Sequence, residues 1–177
     1  MTVDVLVDCP AWTVDLPEAA AVAERAARAA AAVALPRRGR FDVCVLLADN
    51  ERLRCLNRDW RDQDRATNVL AFPGQPAEAL GRAAPRGPRL GLGDIVLAHG
   101  VVRAESQAQG KTLADHLSHL VVHGFLHLVG HDHDEAAAAE RMEALEVAVL
   151  DGLGIADPYA GTPGTTSADL TPPANRL

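Results

Sequence analysis

Six of the seven histidines in the chain lie within the eighteen residues from 116 to 133, a concentration that is typical of a metal site. Consecutive residues of a helix are turned by about 100°. His119, His123 and His127, each four residues apart, therefore lie on nearly the same helix face. The imidazoles of His123 and His127 are spaced to bind one ion.

Most other positions around these histidines are apolar, which predicts a buried helix that begins near Lys111. A buried imidazole without a partner costs roughly 1–3 kcal/mol. A single histidine on such a helix would suggest a hydrogen-bonded core residue, whereas three histidines at ligand spacing favour a metal site.

The end of this helix indicates a third ligand. Gly130 predicts the end, because glycine readily adopts the left-handed conformation that reverses the chain, and His133 can then approach the ion from another direction. The spacing His123-x3-His127-x2-Gly130-x2-His133 matches the extended motif of the zincins. Three imidazoles leave a fourth position open, as at a catalytic zinc ion that assists hydrolysis. Copper, nickel and iron also bind imidazole, so the three histidines favour zinc without excluding these other metals.

The residue that follows His123 distinguishes this chain from the metalloproteases. Those enzymes have a glutamate there, which acts as the general base, whereas this chain has Gly124. Peptidase activity by the usual mechanism is therefore disfavoured, although Asp132, Asp134 or a residue elsewhere could substitute for the glutamate. A substrate that carries its own charge, such as a phosphodiester, is an alternative.

Three segments of the chain resemble the YbeY family of bacterial endoribonucleases. The first is the metal-site signature HGFLHLVGHDH at 123–133. The second is LNRDWRDQDRATNVLAFP at 56–73, and the third is LGDIVL at 92–97. They occur in the family's order and cover roughly residues 40–150.

The resemblance implies that His123, His127 and His133 bind one Zn²⁺ ion per chain and that Arg61 contacts the RNA phosphate. It also implies a single-strand-specific endoribonuclease that acts in ribosomal RNA processing, at the 3′ end of 16S RNA, and in ribosome quality control. Single-stranded RNA and the ribosome or its small subunit are the expected partners, and neither DNA nor a membrane is expected. Position 131, commonly tyrosine in the family, is histidine here, and its role is open.

Arg61 suits this chemistry for physical reasons as well. A guanidinium can bind two phosphate oxygens and stabilise the charge that develops in the transition state. Without the resemblance, an ordinary solvated arginine would be the simpler interpretation. The role of His119 is left open by the sequence. It is a hydrogen-bonded core residue, a group that supports the metal ligands or a contact to RNA. His99 and His116 are expected to be structural or exposed.

Two other functions stay open beside the nuclease. One is a zincin-like metallopeptidase, and the other is a non-catalytic ribosome-associated factor in which zinc only stabilises the fold. For the nuclease itself, the sequence leaves open whether water or the RNA 2′-hydroxyl is the nucleophile.

The charge distribution limits how nucleic acid could bind. A net charge of −7 argues against strong, unspecific binding to long duplexes. Eight arginines stand against six acidic residues between positions 37 and 65, which predicts a local basic groove for a few nucleotides. They are Arg37, Arg38, Arg40, Arg52, Arg54, Arg58, Arg61 and Arg65. An aromatic content of 3% disfavours a base-stacking platform.

These residues must be positioned by a fold that the sequence predicts to be α+β. A single domain is expected over residues 1–155, with about four strands in a small mixed sheet and about five helices, followed by a disordered tail at 156–177. The predicted strands are 3–8, 41–48, 68–72 and 94–98. The predicted helices are 17–35, 50–59, 101–107, the histidine helix and 134–153, and residues 73–92 are predicted to form a loop.

The cellular location is predicted from cysteines and hydropathy. Cys9, Cys44 and Cys55 are odd in number and lack CxxC spacing, which fits a reduced protein better than a disulfide framework. The sequence shows no typical leader and no apolar stretch of about 18 residues. A soluble cytoplasmic protein is therefore expected.

Overall fold

The centre of the molecule is a four-stranded sheet, seen in a computed structural model that describes residues 1–36, 39–131 and 135–160. Its strands are β1 (Thr2–Val7), β2 (Phe41–Ala48), β3 (Val69–Pro73) and β4 (Leu90–Ala98), in the order β1-β2-β4-β3. The first, second and fourth strands are parallel, and β3 runs antiparallel to β4 along one edge. The predicted mixed sheet in an α+β domain is therefore confirmed.

Seven helices accompany the sheet in the described part of the chain. Five of them correspond to predicted helices, and the short α1 and α4 were not predicted. They are α1 (Ala11–Asp15), α2 (Ala19–Ala34), α3 (Asn50–Arg61), α4 (Ala77–Leu80), α5 (His99–Ala108), α6 (Leu113–Leu128) and α7 (Ala136–Gly152). No helix among the described residues is long and apolar enough to cross a membrane.

The prediction of a loop over residues 73–92 is wrong in two places. Residues Ala77–Leu80 form α4, whose Leu80 is buried, and β4 begins at Leu90 rather than at Asp94. Glycines disfavour strands in general, and Gly91 and Gly93 obscure the early part of β4 in the sequence. Pairing with β2 and burial of the side chain between these glycines override that weak local preference.

Alternation along the strands gives the sheet two apolar faces. One face packs in the main core with α2 and α6 and includes Val45, Val69 and Ile95. The other carries Leu70 and Val96, which form a smaller cluster with α3. The histidine helix therefore lies on one face of the sheet and the arginine-bearing helix α3 on the other.

The histidine helix α6 has well-defined ends. Thr112 caps the N-terminus by accepting a hydrogen bond from the backbone of Asp115 at 3.0 Å. At the other end, the backbone N–H groups of Gly130 and His131 donate to the carbonyls of His127 and Leu126, which is the Schellman arrangement. Gly130 has a φ of +91°, so the predicted helix-ending glycine turn is confirmed.

Candidate metal centre

His123 and His127 lie side by side on α6 with their side-chain nitrogens converging. Their Nε2 atoms are 3.0 Å apart, and both residues are buried. Two nitrogens bound to one tetrahedral zinc ion at 2.0–2.1 Å would be about 3.3 Å apart. The spacing of the pair therefore fits two ligands of a single ion.

A buried carboxylate on α7 fixes the orientation of His123. The Nδ1 of His123 lies 2.7 Å from Oε1 of Glu146, and Glu146 is only 1% exposed. Because an ionised carboxylate can only accept, His123 carries its proton on Nδ1 and presents the lone pair of Nε2 toward His127. A carboxylate behind a histidine in this way is typical of metal sites, where it fixes the ring and raises its basicity.

Two further groups complete the hydrogen bonding of Glu146. Oε2 of Glu146 accepts from Nε2 of His119 at 3.1 Å and from the hydroxyl of Tyr159. The ring of Tyr159 packs edge-on against His119, with centroids 5.7 Å apart. His119 thus supports the carboxylate that orients a candidate ligand, which is one of the three roles left open by the sequence.

The ionisation states agree with this donor and acceptor pattern. Burial raises the pKa of Glu146, but the hydrogen bonds that it accepts from His119 and His123 outweigh burial and hold the pKa well below its usual range. Burial, followed by the charge of Glu146, raises the pKa of Tyr159. The carboxylate is therefore the charged acceptor and the phenol the neutral donor.

The segment around Tyr159 also contacts the turn that precedes α6. Nζ of Lys111 donates to the backbone carbonyl of Pro158 at 3.0 Å. Residues 156–160, which the sequence assigns to the tail, are thus in contact with the domain. The rest of the predicted tail lies outside the described residues.

The third predicted ligand, His133, lies outside the described residues, as do Asp132 and Asp134. Within the ranges 1–36, 39–131 and 135–160, no group of three side chains is placed to hold a metal. The roles of His123, His127 and His133 as ligands therefore stay a prediction. His131 is partly buried, and burial, with a contribution from Arg141, lowers its pKa and favours the neutral imidazole.

The remaining histidines of the described chain are buried and pair with other acids. Nε2 of His99 lies 3.0 Å from Oδ2 of Asp15, and Nε2 of His116 lies 2.8 Å from Oε2 of Glu105. Glu105 also accepts from the side chain of Asn68, just before β3. The first pair joins α5 to α1 and the second joins α6 to α5, as expected for structural histidines.

Arg61 is the last residue of α3, at a well-defined turn. Asp62 follows in the left-handed region with a φ of +58°, and its N–H donates to the carbonyl of Arg58. The buried side chain of Asn57 donates to the carbonyl of Arg65 at 2.8 Å. Arg61 is partly buried, and these hydrogen bonds hold the backbone on either side of it.

Ion pairs reduce the positive charge of the predicted basic groove. Nε of Arg54 lies 2.8 Å from Asp64, and Nε of Arg58 lies 2.9 Å from Asp59. These pairs are largely exposed, so they contribute little to stability. Between positions 49 and 65 the five arginines are matched by five acidic residues, so the segment around α3 carries no net positive charge.

Gly124 lies where α6 approaches the sheet most closely. A Cβ atom added there would be 2.9 Å from Cγ2 of Ile95 and 3.4 Å from Cγ2 of Val69. Any side chain at position 124 would therefore begin against β3 and β4. The packing explains a small residue at this place, because any larger side chain, including the glutamate of the metalloproteases, would require Ile95 to shift.

Glu146 and Tyr159 were missed by the sequence analysis. The apolar residues Met142, Leu145 and Val149 share one side of α7, and the buried Glu146 lies on that side, between Met142 and Val149. An acid on the buried face of a helix needs a partner, because burying an unpaired charge is costly. An acid on the apolar side of this helix is therefore the feature of the sequence that indicates Glu146. Nothing in the sequence connects Tyr159 to the histidines.

Comparisons with known proteins agree on one family. The family model described as endoribonuclease YbeY matches residues 9–154. A protein from Paramagnetospirillum magneticum, named endoribonuclease YbeY, is 49% identical over 162 residues, covering 90% of this chain and 97% of that protein. A protein of the same name from Azorhizobium caulinodans is 47% identical, with coverage of 90% and 97%.

The fold has a counterpart among solved structures. A Thermotoga maritima protein solved in solution matches with a TM-score of 0.51 and 21% identity. The match covers 93% of this chain and 99% of that protein. At this level of identity, the likeness concerns the fold alone.

Proposed function

Because the chain belongs to the YbeY family of endoribonucleases, we propose that it cleaves single-stranded RNA at a zinc centre formed by His123, His127 and His133. The observation that carries the proposal is the pair of Nε2 atoms 3.0 Å apart, with Glu146 on the opposite nitrogen of His123. Because Glu146 holds Nδ1 of His123, the Nε2 lone pair of His123 faces Nε2 of His127, which supports the use of both nitrogens as ligands of one ion. A zinc ion held there supplies Lewis-acid chemistry for phosphodiester cleavage.

Arg61 is proposed to bind the scissile phosphate. A guanidinium keeps its charge at any working pH and can donate two parallel hydrogen bonds to phosphate oxygens. Its place at a well-defined helix end supports a positioning role, because catalytic groups gain most from a rigid scaffold. Arg61 would thus stabilise negative charge on the phosphate while the histidines hold the metal.

The physiological substrate is proposed to be ribosomal RNA, at the 3′ end of 16S RNA, with the small subunit as partner and a further role in ribosome quality control. The family resemblance supports this assignment. The net charge of −7 and the ion-paired arginines of α3 favour it, because they predict weak binding to free RNA. A partner such as the ribosome would then supply the missing affinity.

The peptidase alternative receives no support from the packing around position 124. Position 124 is a glycine, and a Cβ added there would lie so close to Ile95 that Ile95 would have to shift before a general-base glutamate could occupy the position. The third alternative, a non-catalytic ribosome-associated factor, predicts that metal removal lowers stability and that no RNA is cut.

The experiment that tests the function compares substrates with one preparation of the full chain. The protein is loaded with zinc and incubated with a labelled single-stranded RNA, the same RNA in a duplex, the matching DNA and casein. We expect cleavage of single-stranded RNA only, abolished by a chelator and restored by zinc. A 2′,3′-cyclic phosphate on the product would show attack by the 2′-hydroxyl, and its absence would favour water.

Two results would contradict the proposal. Zinc binding without cleavage of any RNA would favour the non-catalytic factor. Cleavage of casein that is lost in His127→Ala would favour the peptidase.

A further inference from the structure

Trp60 is unusual among the aromatic residues of this chain because it lies on the surface. All six aromatic residues are in the described part of the chain, and only Trp60, with a relative exposure of 61%, lies on the surface. Trp12, Phe41 and Phe125 are buried, and Phe72 and Tyr159 are partly buried. A single exposed apolar residue is common in proteins, so exposure alone carries no function.

The indole is held in place by a second aromatic ring. Trp60 packs edge-on against Phe72 of β3, with ring centroids 5.7 Å apart and an angle of 64° between the planes. Phe72 in turn packs against the smaller core between the sheet and α3. Trp60 therefore presents a large, oriented aromatic surface to solvent, at little cost in side-chain entropy on binding.

Trp60 and the candidate metal centre lie on opposite faces of the sheet, beside the same edge strand. β3 is the edge strand of the sheet, and its Val69 lies beneath Gly124, the neighbour of His123. Phe72, on the same strand, faces the opposite side of the sheet and contacts Trp60. The histidine pair and the indole thus lie on either side of one edge strand.

The chemistry of the adjacent residues suits a nucleotide. Arg61, the proposed phosphate ligand, follows Trp60 directly in the chain. An aromatic face next to a cation is the combination that proteins use for single-stranded nucleic acids, in which a base stacks while its phosphate is neutralised. The unstacked bases of single-stranded RNA are free to stack on such a face, whereas bases in a duplex are already stacked.

We propose that Trp60 stacks on one nucleobase of the single-stranded RNA and thereby positions the adjoining phosphate at Arg61. The inference rests on the proposed function and adds a base-binding subsite to it. The low aromatic content disfavours a broad base-stacking platform. One exposed tryptophan is enough to stack on a single base.

Steady-state cleavage kinetics of a short single-stranded RNA test the proposal in four proteins: wild type, Trp60→Phe, Trp60→Leu and Trp60→Ala. Stacking requires a flat π face, so we expect Phe to remain close to wild type. Leu and Ala should raise KM about tenfold, with kcat and bound zinc nearly unchanged. Leucine is the matched control, because it keeps apolar bulk without an aromatic face.

An abasic scan gives a readout that a merely structural role would not move. RNAs that lack one base at successive positions are cleaved by wild type and by Trp60→Ala. At one position the missing base should cost wild type about tenfold in KM and cost the alanine variant nothing more. Equal losses for both proteins at every position would overturn the subsite.

Fluorescence separates failure of this inference from failure of the proposed function. The other tryptophan, Trp12, is fully buried, so an RNA-induced change in emission should come from Trp60 and be absent in Trp60→Phe. Suppose that wild type cuts RNA, that the leucine and alanine variants have the KM of wild type, and that adding RNA leaves the emission unchanged. The base-binding subsite would then be wrong, and the proposed nuclease activity would be correct. If wild type neither cuts nor binds RNA, the proposed function itself is wrong. Loss of ribosome binding with unchanged RNA kinetics would indicate a protein contact instead.

Discussion

The histidines of α6 and the arginines of α3 lie in opposite environments. His119, His123 and Glu146 are buried and bonded to one another, whereas Arg54 and Arg58 are exposed and paired with acids on the surface. A buried network fixes ring orientation before any ligand arrives, as a metal site requires. An exposed arginine can exchange its acid partner for a phosphate at little cost, as substrate binding requires. The buried network thus suits a fixed metal site, and the exposed arginines suit contacts with RNA.

Removing a histidine from the buried network should have the largest effect. His127→Ala deletes a proposed ligand, so we expect loss of bound zinc and a fall in RNA cleavage of at least about a hundredfold. Metal analysis and single-turnover cleavage measure both quantities. His116→Ala is the matched control, because it removes a buried histidine of the same helix that pairs with Glu105 instead. Equal zinc loss in both variants would mean that the site depends on helix stability rather than on ligation.

Removing Arg61 should affect chemistry and leave the metal in place. Arg61→Ala is expected to keep its zinc and lose about 10²–10³ in kcat, the range found for a group that stabilises developing charge. Arg28→Ala serves as a control, since Arg28 is an exposed arginine on α2 paired with Glu24. If Arg61→Ala cleaves RNA like wild type, the proposed phosphate contact is wrong.

Glu146 tests whether preorganisation matters within the buried network. Glu146→Gln removes the charge that orients His123, so zinc affinity should fall about 10- to 100-fold. Competition with a zinc-binding dye measures the affinity, and circular dichroism checks that the helices remain. Glu140→Gln is the matched control on the same helix, because Glu140 is exposed. An unchanged zinc affinity in Glu146→Gln would restrict Glu146 to a role in folding.

Gly124 tests the packing between α6 and the sheet and should give the smallest effect. Alanine is favoured over glycine in a helix by about 1 kcal/mol, but overpacking against Ile95 typically costs about 1–3 kcal/mol. We therefore expect Gly124→Ala to lower the free energy of unfolding by about 1 kcal/mol. Gly152→Ala, where an added Cβ meets nothing within 4 Å, should be neutral or stabilising. Chemical denaturation of the zinc-free proteins provides the measurement, and a stabilised Gly124→Ala would contradict the packing argument.

The buried region was easier to predict from sequence than the contacts that complete it. Helical spacing placed His123 and His127 together because the period of a helix is regular, and Gly130 marked the turn because of its backbone freedom. Glu146 is 23 residues from His123 in the chain, and no local pattern encodes that pairing. The early part of β4 was missed for the same reason, since its stability comes from pairing with β2. For the exposed surface of α3, the composition predicts how many charged residues there are. It does not predict which arginines form ion pairs.

The catalytic zinc ion proposed for His123, His127 and His133 can be tested by titration. The metal is removed from the full chain, zinc is added back in known amounts, and cleavage of single-stranded RNA is followed. We expect a rate that rises in proportion to bound zinc and stops rising at one ion per chain. Full cleavage by the metal-free protein, or one bound zinc per chain without any cleavage, would contradict it.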